Sequence, residues 1–278
     1  MHPQMNKFRV AIYRGGTSKG IFINRNQLPK DPLKRDRIIN AIFGSPDLRQ
    51  IDGLGGADVL TSKLAIIGPS TRPDADIDYT FAQVSFETEF VDYSGNCGNI
   101  SSAVGPYAID EGFVDPVEPI TKVKIHLTNT GNIIVAEVPV VDGKASVEGD
   151  CKIDGVPGTG SKIMLDFSDL AGAFTGNLLP TGNAKDVLDL PGYGKFTVSI
   201  VDAANPLVFI RAEELGLTGT ETADEIETDK ALMEKIERIR GAVAEKIGMV
   251  ESWDQAAKKT PYIPFFFYNK PAPNLRYF

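Results

Sequence analysis

Gly95-Asn-Cys-Gly-Asn-Ile-Ser-Ser-Ala-Val-Gly-Pro-Tyr-Ala-Ile109 is the stretch on which the fold turns. Glycine and asparagine punctuate its start, and from Ile100 onward nearly every residue is small or apolar. Val104, Tyr107 and Ala108 fall on close faces of a helix, and Pro106 restricts where that helix can run regularly. The segment therefore reads as a helix buried on nearly all sides. Its neighbours in the chain are strands. Phe8 to Tyr13 and Ile21 to Ile23 flank a glycine-rich loop, and strand patterns recur at 62–67, 79–86, 121–128, 133–141 and 145–147. A lone buried helix among such strands requires a sheet curled around it. A second, shorter helix is expected over 32–43, started by Asp31 and Pro32 and stopped by Gly44.

After Pro180-Thr-Gly-Asn183 the pattern restarts with strands at 196–201 and 207–210, then a charged amphipathic helix from about Thr228 to Ile247. This divides the chain into 1–181 and 182–278, the latter with few strands. The 278 residues carry 29 Lys+Arg against 37 Asp+Glu, a formal charge of −8. Such a balance lacks the positive field that draws a protein to phosphate backbones or anionic lipid, so neither nucleic acid nor membrane is an expected partner.

With only His2 and His126, histidine chemistry is nearly excluded, and no metal site is expected. In 121–128, Val123, Ile125 and Leu127 form the inward face of a strand, which assigns His126 to the solvated face with Lys122 and Lys124. Cys97 and Cys151, with no CxxC, suggest free thiols in a reducing compartment. The first ten residues have no apolar h-region, and no apolar run reaches the ~18 residues of a spanning helix. A cytoplasmic location is expected.

Three segments could carry chemistry. Cys97 stands where the buried helix begins, so unpaired N–H groups and the positive end of the dipole favour negative charge on its sulfur; the polar flanks suggest a shallow position. Arg14-Gly-Gly-Thr-Ser-Lys-Gly20 can offer a concave array of donors to a carboxylate or phosphate, or be an ordinary hairpin connector. It lacks the Gly-Lys-Ser/Thr ending and following helix of a P-loop. Lys63, after Asp52-Gly-Leu-Gly-Gly-Ala-Asp58, opens an apolar strand, a position that more often holds a solvated lysine than a reactive one.

Taken in order, Arg14 to Gly20, Gln50-Ile-Asp-Gly-Leu54, Thr61-Ser-Lys63, Asp92 to Asn99, Asp150 to Gly158, Leu179 to Asn183 and Asp202-Ala-Ala-Asn-Pro206 resemble the 3-methylitaconate isomerase and 2-methylaconitate cis/trans isomerase family, over roughly residues 7–265. The resemblance implies an α+β fold like that of diaminopimelate epimerase: a curled mixed sheet around a central helix, duplicated. It implies cofactor-free proton transfer with Cys97 and Lys63 as catalytic residues. Arg14, Gly16, Thr17, Ser18, Ser62, Asn96, Gly98, Asn99 and Asn205 would bind a small unsaturated carboxylic acid. Family members run on past the point where this sequence ends in Pro264-Phe-Phe-Phe267 and a short tail. The second domain is therefore expected to be incomplete, with apolar surface bared around 207–210 and 265–267, and a homo-oligomer is expected. The reaction expected is a shift of a C=C double bond, 3-methylitaconate to dimethylmaleate first, with 2-methylaconitate isomerisation or oxalomesaconate tautomerisation as alternatives. A noncatalytic carboxylate-binding protein is the rival class.

Overall fold

The computed structural model describes residues 7–270. His2 and the tail 271–278 lie outside the described residues. The first compact unit is built from β1 (Val10–Gly15), β2 (Ser18–Asn24), α1 (Pro32–Phe43), β3 (Lys63–Pro69), β4 (Ile77–Val84), β5 (Val91–Asp92), α2 (Gly98–Asp110), β6 (Ile120–Leu127), β7 (Asn132–Val141), β8 (Lys144–Ala145) and β9 (Met164–Asp166). Its nine strands run in the order β1-β2-β3-β4-β6-β7-β8, with β5 on β4 and β9 on β7. The β2–β3 and β4–β6 pairs are parallel and the others antiparallel, so the sheet is mixed.

Helix α2 touches β1 and β2 at one end of this sheet and β7 and β8 at the other. One helix can reach both ends only if the sheet curls about it. Ile100, Ala103, Val104, Tyr107, Ala108 and Ile109 are buried in that curl, and the Tyr107 ring packs on Phe22 with centroids 5.3 Å apart. Helix α1 covers the opposite face, where Ile39 and Phe43 meet Ile21, Ile23, Leu64, Ile66 and Val84. Strand β3 is sandwiched between the two helices and is apolar on both faces, whereas β6 alternates buried and exposed residues. The expected ends of α1 hold: the Asp31 carboxylate accepts from the Lys34 N–H at 3.1 Å, and Gly44 takes the left-handed conformation at φ 78°.

The close fit of α2 depends on Gly105. A Cβ there would lie 2.7 Å from Val138 Cγ2 and 3.1 Å from the Ala136 Cβ. Gly105→Val is expected to cost about 1–3 kcal/mol through overpacking. An unchanged urea midpoint in that variant would show that the sheet can yield at this point.

One side-chain assignment is overturned. His126 is not solvated: its side chain is 12% exposed, and Nδ1 lies 2.8 Å from Asp78 Oδ1. Strand alternation set its face correctly, but β6 pairs with β4, and the paired residue Asp78 brings a buried carboxylate against the ring. Asp78 also pairs with Arg25 at 2.7 Å and accepts from the Thr71 N–H at 3.1 Å. Burial alone would raise the Asp78 carboxyl, but hydrogen bonds from His126, Thr71 and Arg25 outweigh it and hold the group below its ordinary value.

The second unit comprises β10 (Asp186–Leu190), β11 (Gly194–Ala203), β12 (Asn205–Arg211), α3 (Ala212–Leu215), α4 (Ala223–Thr228), α5 (Lys230–Lys246), α6 (Ala256–Lys259) and β13 (Phe265–Asn269). The sheet order is β10-β11-β12-β13. Leu232, Ile239 and Val243 of α5 close a core over Leu188, Phe196, Val198, Ile200, Val208 and Ile210. The β11–β12 hairpin, the helical crossover and the parallel β12–β13 pair repeat the order of β1, β2, α1 and β3. Among the described residues the second unit has no counterpart of α2.

The apolar surface expected at 207–210 is present only in part. Val208 and Ile210 lie under α5, while Leu207 and Phe209 are half-buried on the other face, where Phe209 stacks on Phe267 at 5.3 Å. Phe265 and Phe267 are exposed. They lie on a strand, β13, that forms by pairing with β12.

The first unit ends at Asp169 and the second begins at Leu170, upstream of the 181/182 division. The Gly172 N–H donates to the Asp202 carbonyl, the Asp202 N–H donates to Leu178, and the Asp202 carboxylate accepts from the N–H groups of Phe174 and Thr175. These bonds fasten 172–178 to β11.

Candidate active site

Cys97 is the N-cap of α2, with extended backbone at φ −123° and ψ 105°. Its Sγ accepts from the Ile100 N–H at 3.5 Å, and Ser101 Oγ donates to its carbonyl at 2.8 Å. Cys97 is more enclosed than the polar flanks suggested, at 8% exposure. Lys63 opens β3, and its Nζ stands 3.4 Å from Cys97 Sγ. The two residues are thus joined by the sheet and not by the sequence: β3 delivers the ammonium to the start of the helix that the sheet encloses. Ammonium and helix dipole both place positive charge beside the sulfur.

The floor of this pair comes from β4, which sequence reasoning did not single out. Lys63 Nζ sits over the Phe81 ring, 5.6 Å from its centroid. Gln83, opposite Lys63 in the β3–β4 register, donates from Nε2 to the carbonyls of Val59 and Ser62 and so fixes the approach to Lys63. Tyr79 is fully buried; burial pushes its phenol well above the ordinary value, with the nearby Cys97 adding in the same direction, so it stays neutral. No local motif marks these three residues. Their signal is the register of the adjacent strand.

Arg14 to Lys19 forms the β1–β2 hairpin, and Gly15 pairs with Ser18. Asn99 Nδ2 donates to Thr17 Oγ1 at 2.9 Å and to Ser18 Oγ at 3.2 Å, tying this loop to the first turn of α2. A Cβ on Gly15 would collide with the Asn99 carbonyl, and Gly16 holds φ 54°, so the contact needs both glycines. The two donor segments named separately from the sequence are therefore one surface containing Gly16, Thr17, Ser18, Gly98 and Asn99. Arg14 donates from Nη1 to the Gly16 carbonyl at 2.9 Å and makes no ion pair among the described residues.

Other expected positions have different settings. Ser62 is fully buried and donates to Gln50 Oε1 at 2.7 Å, so its hydroxyl braces the 50–62 loop. Gln50 completes that brace by donating to Ser45 Oγ and accepting from the Ala57 N–H. Asn96 is buried, with Nδ2 donating to Thr130 Oγ1 at 3.3 Å. Asn205 belongs to the second unit, at the start of β12 beside Ala204, whose φ is 66°.

The PrpF protein family model matches residues 5–272. The chain belongs to the PrpF family. It is 59% identical to the 3-methylitaconate isomerase of Eubacterium barkeri over 98% of its own length and 71% of that protein's. It is 40% identical to the 2-methyl-aconitate isomerase of Shewanella oneidensis, over 95% of this chain and 70% of that one. The crystal structure of methylitaconate-delta-isomerase superposes with a TM-score of 0.72 at 59% identity, covering 93% of this chain and 67% of that one. This PrpF chain accordingly has the α+β, diaminopimelate epimerase-like fold, and its enzyme class is isomerase.

Proposed function

We propose that this PrpF chain shifts a C=C double bond within a small unsaturated carboxylic acid by proton transfer, with 3-methylitaconate to dimethylmaleate as the favoured reaction. The observation that carries this reading is the 3.4 Å contact between Lys63 Nζ and Cys97 Sγ at the start of α2. A substrate carboxylate binds to Arg14 and the hairpin–helix surface of Gly16, Thr17, Ser18, Gly98 and Asn99. Ser62 braces the loop that leads into Lys63, and Asn96 holds the turn that leads into Cys97. One of Cys97 and Lys63 removes a proton from the carbon next to a carboxylate. The electron pair moves into the allylic system, the donors stabilise the enolate-like charge, and a proton returns at the far carbon. Atoms and charge balance with no added reagent, and the residues named require no cofactor.

The similarity to a 2-methyl-aconitate isomerase supports a second substrate with the same allylic acid unit. Oxalomesaconate completes the set. Proton NMR in deuterated water, with each acid supplied separately, tests the reading. Deuterium should enter the substrate as the double bond moves. Three unchanged spectra would favour the noncatalytic carboxylate-binding class. In a responsive protein, Lys63→Ala should lower turnover by ~10²-fold with the melting temperature held, as expected for loss of an acid/base partner. Equal turnover would remove Lys63 from the chemistry.

The same reading places the enzyme in the cytoplasm as a homo-oligomer. Two free thiols, Cys97 and Cys151, support the compartment, and the exposed Phe265 and Phe267 support self-association. No helix among the described residues is long and apolar enough to cross a membrane.

A further inference from the structure

A cavity of about 300 Å³ runs along the flank of α2, from Gly98 and Asn99 at one end past Ser102, Ala103 and Pro106 to Asp110 at the other. Its far wall is the 145–163 segment. Cys97 and Lys63 do not line it, so it is not the proton-transfer site itself.

The two charged groups in this cavity are engaged differently. Asp110 is the only carboxylate in its lining, and both oxygens are already engaged: Tyr13 donates its hydroxyl to Oδ2 at 3.0 Å, and the Ala145 N–H donates to Oδ1 at 3.2 Å. Burial, with Asp110 adding, pushes the Tyr13 phenol well above its usual value and keeps it a donor. Arg14, at the other end, has no carboxylate partner among the described residues. Beside it lie the first-turn amides of Gly98 and Asn99, which a helix leaves unpaired. Ser102 and Ser146 offer little competition, since their hydroxyls donate to the carbonyls of Asn99 and Glu148. Between the two ends the walls are apolar: Ala103, Pro106, Val147, Ile153 and Ile163. Such a space suits a ligand with one anionic end and a hydrocarbon body, and its volume is at the small end of ligand sites.

We propose that this cavity binds a short aliphatic monocarboxylate, its carboxylate on Arg14 and its chain against the α2 flank and the 145–163 wall. The site shares Arg14, Gly16 and the helix start with the proposed substrate surface, so an occupant competes with the substrate carboxylate and acts as an inhibitor. Cys151 stands in the cavity wall as a built-in reporter.

Hexanoate is the probe, with hexanol and acetate as its neutral and tail-less counterparts. The rates of Cys151 and Cys97 alkylation by iodoacetamide are read separately by peptide mass spectrometry. With hexanoate at about ten times its dissociation constant, roughly a tenth of the cavities stay empty, so Cys151 labelling should slow about tenfold. Hexanol and acetate should protect far less, and Cys97 should keep its rate. Arg14→Gln removes the anion partner, and Ile153→Asp sets a repelling charge in the half-buried wall; either should abolish protection in a protein whose thermal melt shows it folded. No protection by hexanoate, equal protection by hexanol, equal slowing of both thiols, or protection that survives both substitutions would each overturn the proposal. These rates are read without turnover, so an inactive protein would count against the proton-transfer reading and leave this test intact.

Discussion

Cys97→Ser is expected to lower isomerase turnover by ~10²- to 10⁴-fold, or about 3–5 kcal/mol in the barrier. The substitution is chosen because it separates chemistry from structure. Cys97 caps α2 through a 3.5 Å contact with the Ile100 N–H, and serine is among the preferred residues at an N-cap. The helix should therefore start as well in the variant or better. A hydroxyl is a far weaker base than a thiolate, and Lys63 Nζ, 3.4 Å from the sulfur, would lose the partner that its charge stabilises. Initial rates on 3-methylitaconate, set beside a thermal melt, check the prediction. A variant that melts with the parent and keeps its rate would show that Cys97 is a capping residue and not the proton carrier.

Asp78→Ala is expected to destabilise the first unit by about 3 kcal/mol, at the low end of the range for breaking a buried charged network. The magnitude follows from its partners. Asp78 is 2% exposed and receives His126, Arg25 and the Thr71 N–H, so its removal leaves several donors unpaired inside the protein. The Arg25 side chain is 41% exposed and can return to water, which limits the loss. A shift of the melting temperature of about 10 °C would correspond for a unit of this size, and a shift of under a degree would show the network to be neutral.

The pH dependence has a definite sign. Because the Asp78 carboxyl is held below its ordinary value in the folded protein, its contribution is present above the unfolded value near ~4 and is lost as pH falls through the native value. Asp92 acts in the opposite sense. Its carboxyl is raised by burial, despite accepting from the Ser94 N–H, so its charge costs stability at neutral pH and that cost is relieved on acidification. In urea titrations between pH 5 and 2, Asp78→Asn should show a flatter acid limb than the parent. An equal slope in both proteins would assign acid lability to other carboxylates.

The longer elements and their polarity were legible in the sequence. The apolar run after Cys97 could be buried only inside a sheet, and α2 is so enclosed. Asp31, Pro32 and Gly44 set the limits of α1 because caps act within a few residues. The restart after residue 183 falls inside a second unit that begins at Leu170, and the short elements β5, β9, β10, β13, α3, α4 and α6 had no reading in the sequence. Val187 and Asp189 face outward on β10, an edge strand, and β13 takes its place only by pairing with β12, so neither has a strong local pattern.

Tertiary structure decided what those elements do together. His126 was assigned to solvent because alternation fixes a face but not what a neighbouring strand brings to it, and β4 brings Asp78. Ser62 is turned to Gln50 by a loop whose closure no spacing reveals. The Arg14 hairpin and the Gly98–Asn99 turn, each ambiguous alone, become one donor surface because Asn99 bridges them. Lys63 and Cys97 are 34 positions apart, and no periodicity relates them. They meet because β3 lies beside β2 in a sheet curled around α2, and long-range strand pairing is the part of the fold that local residue chemistry does not encode.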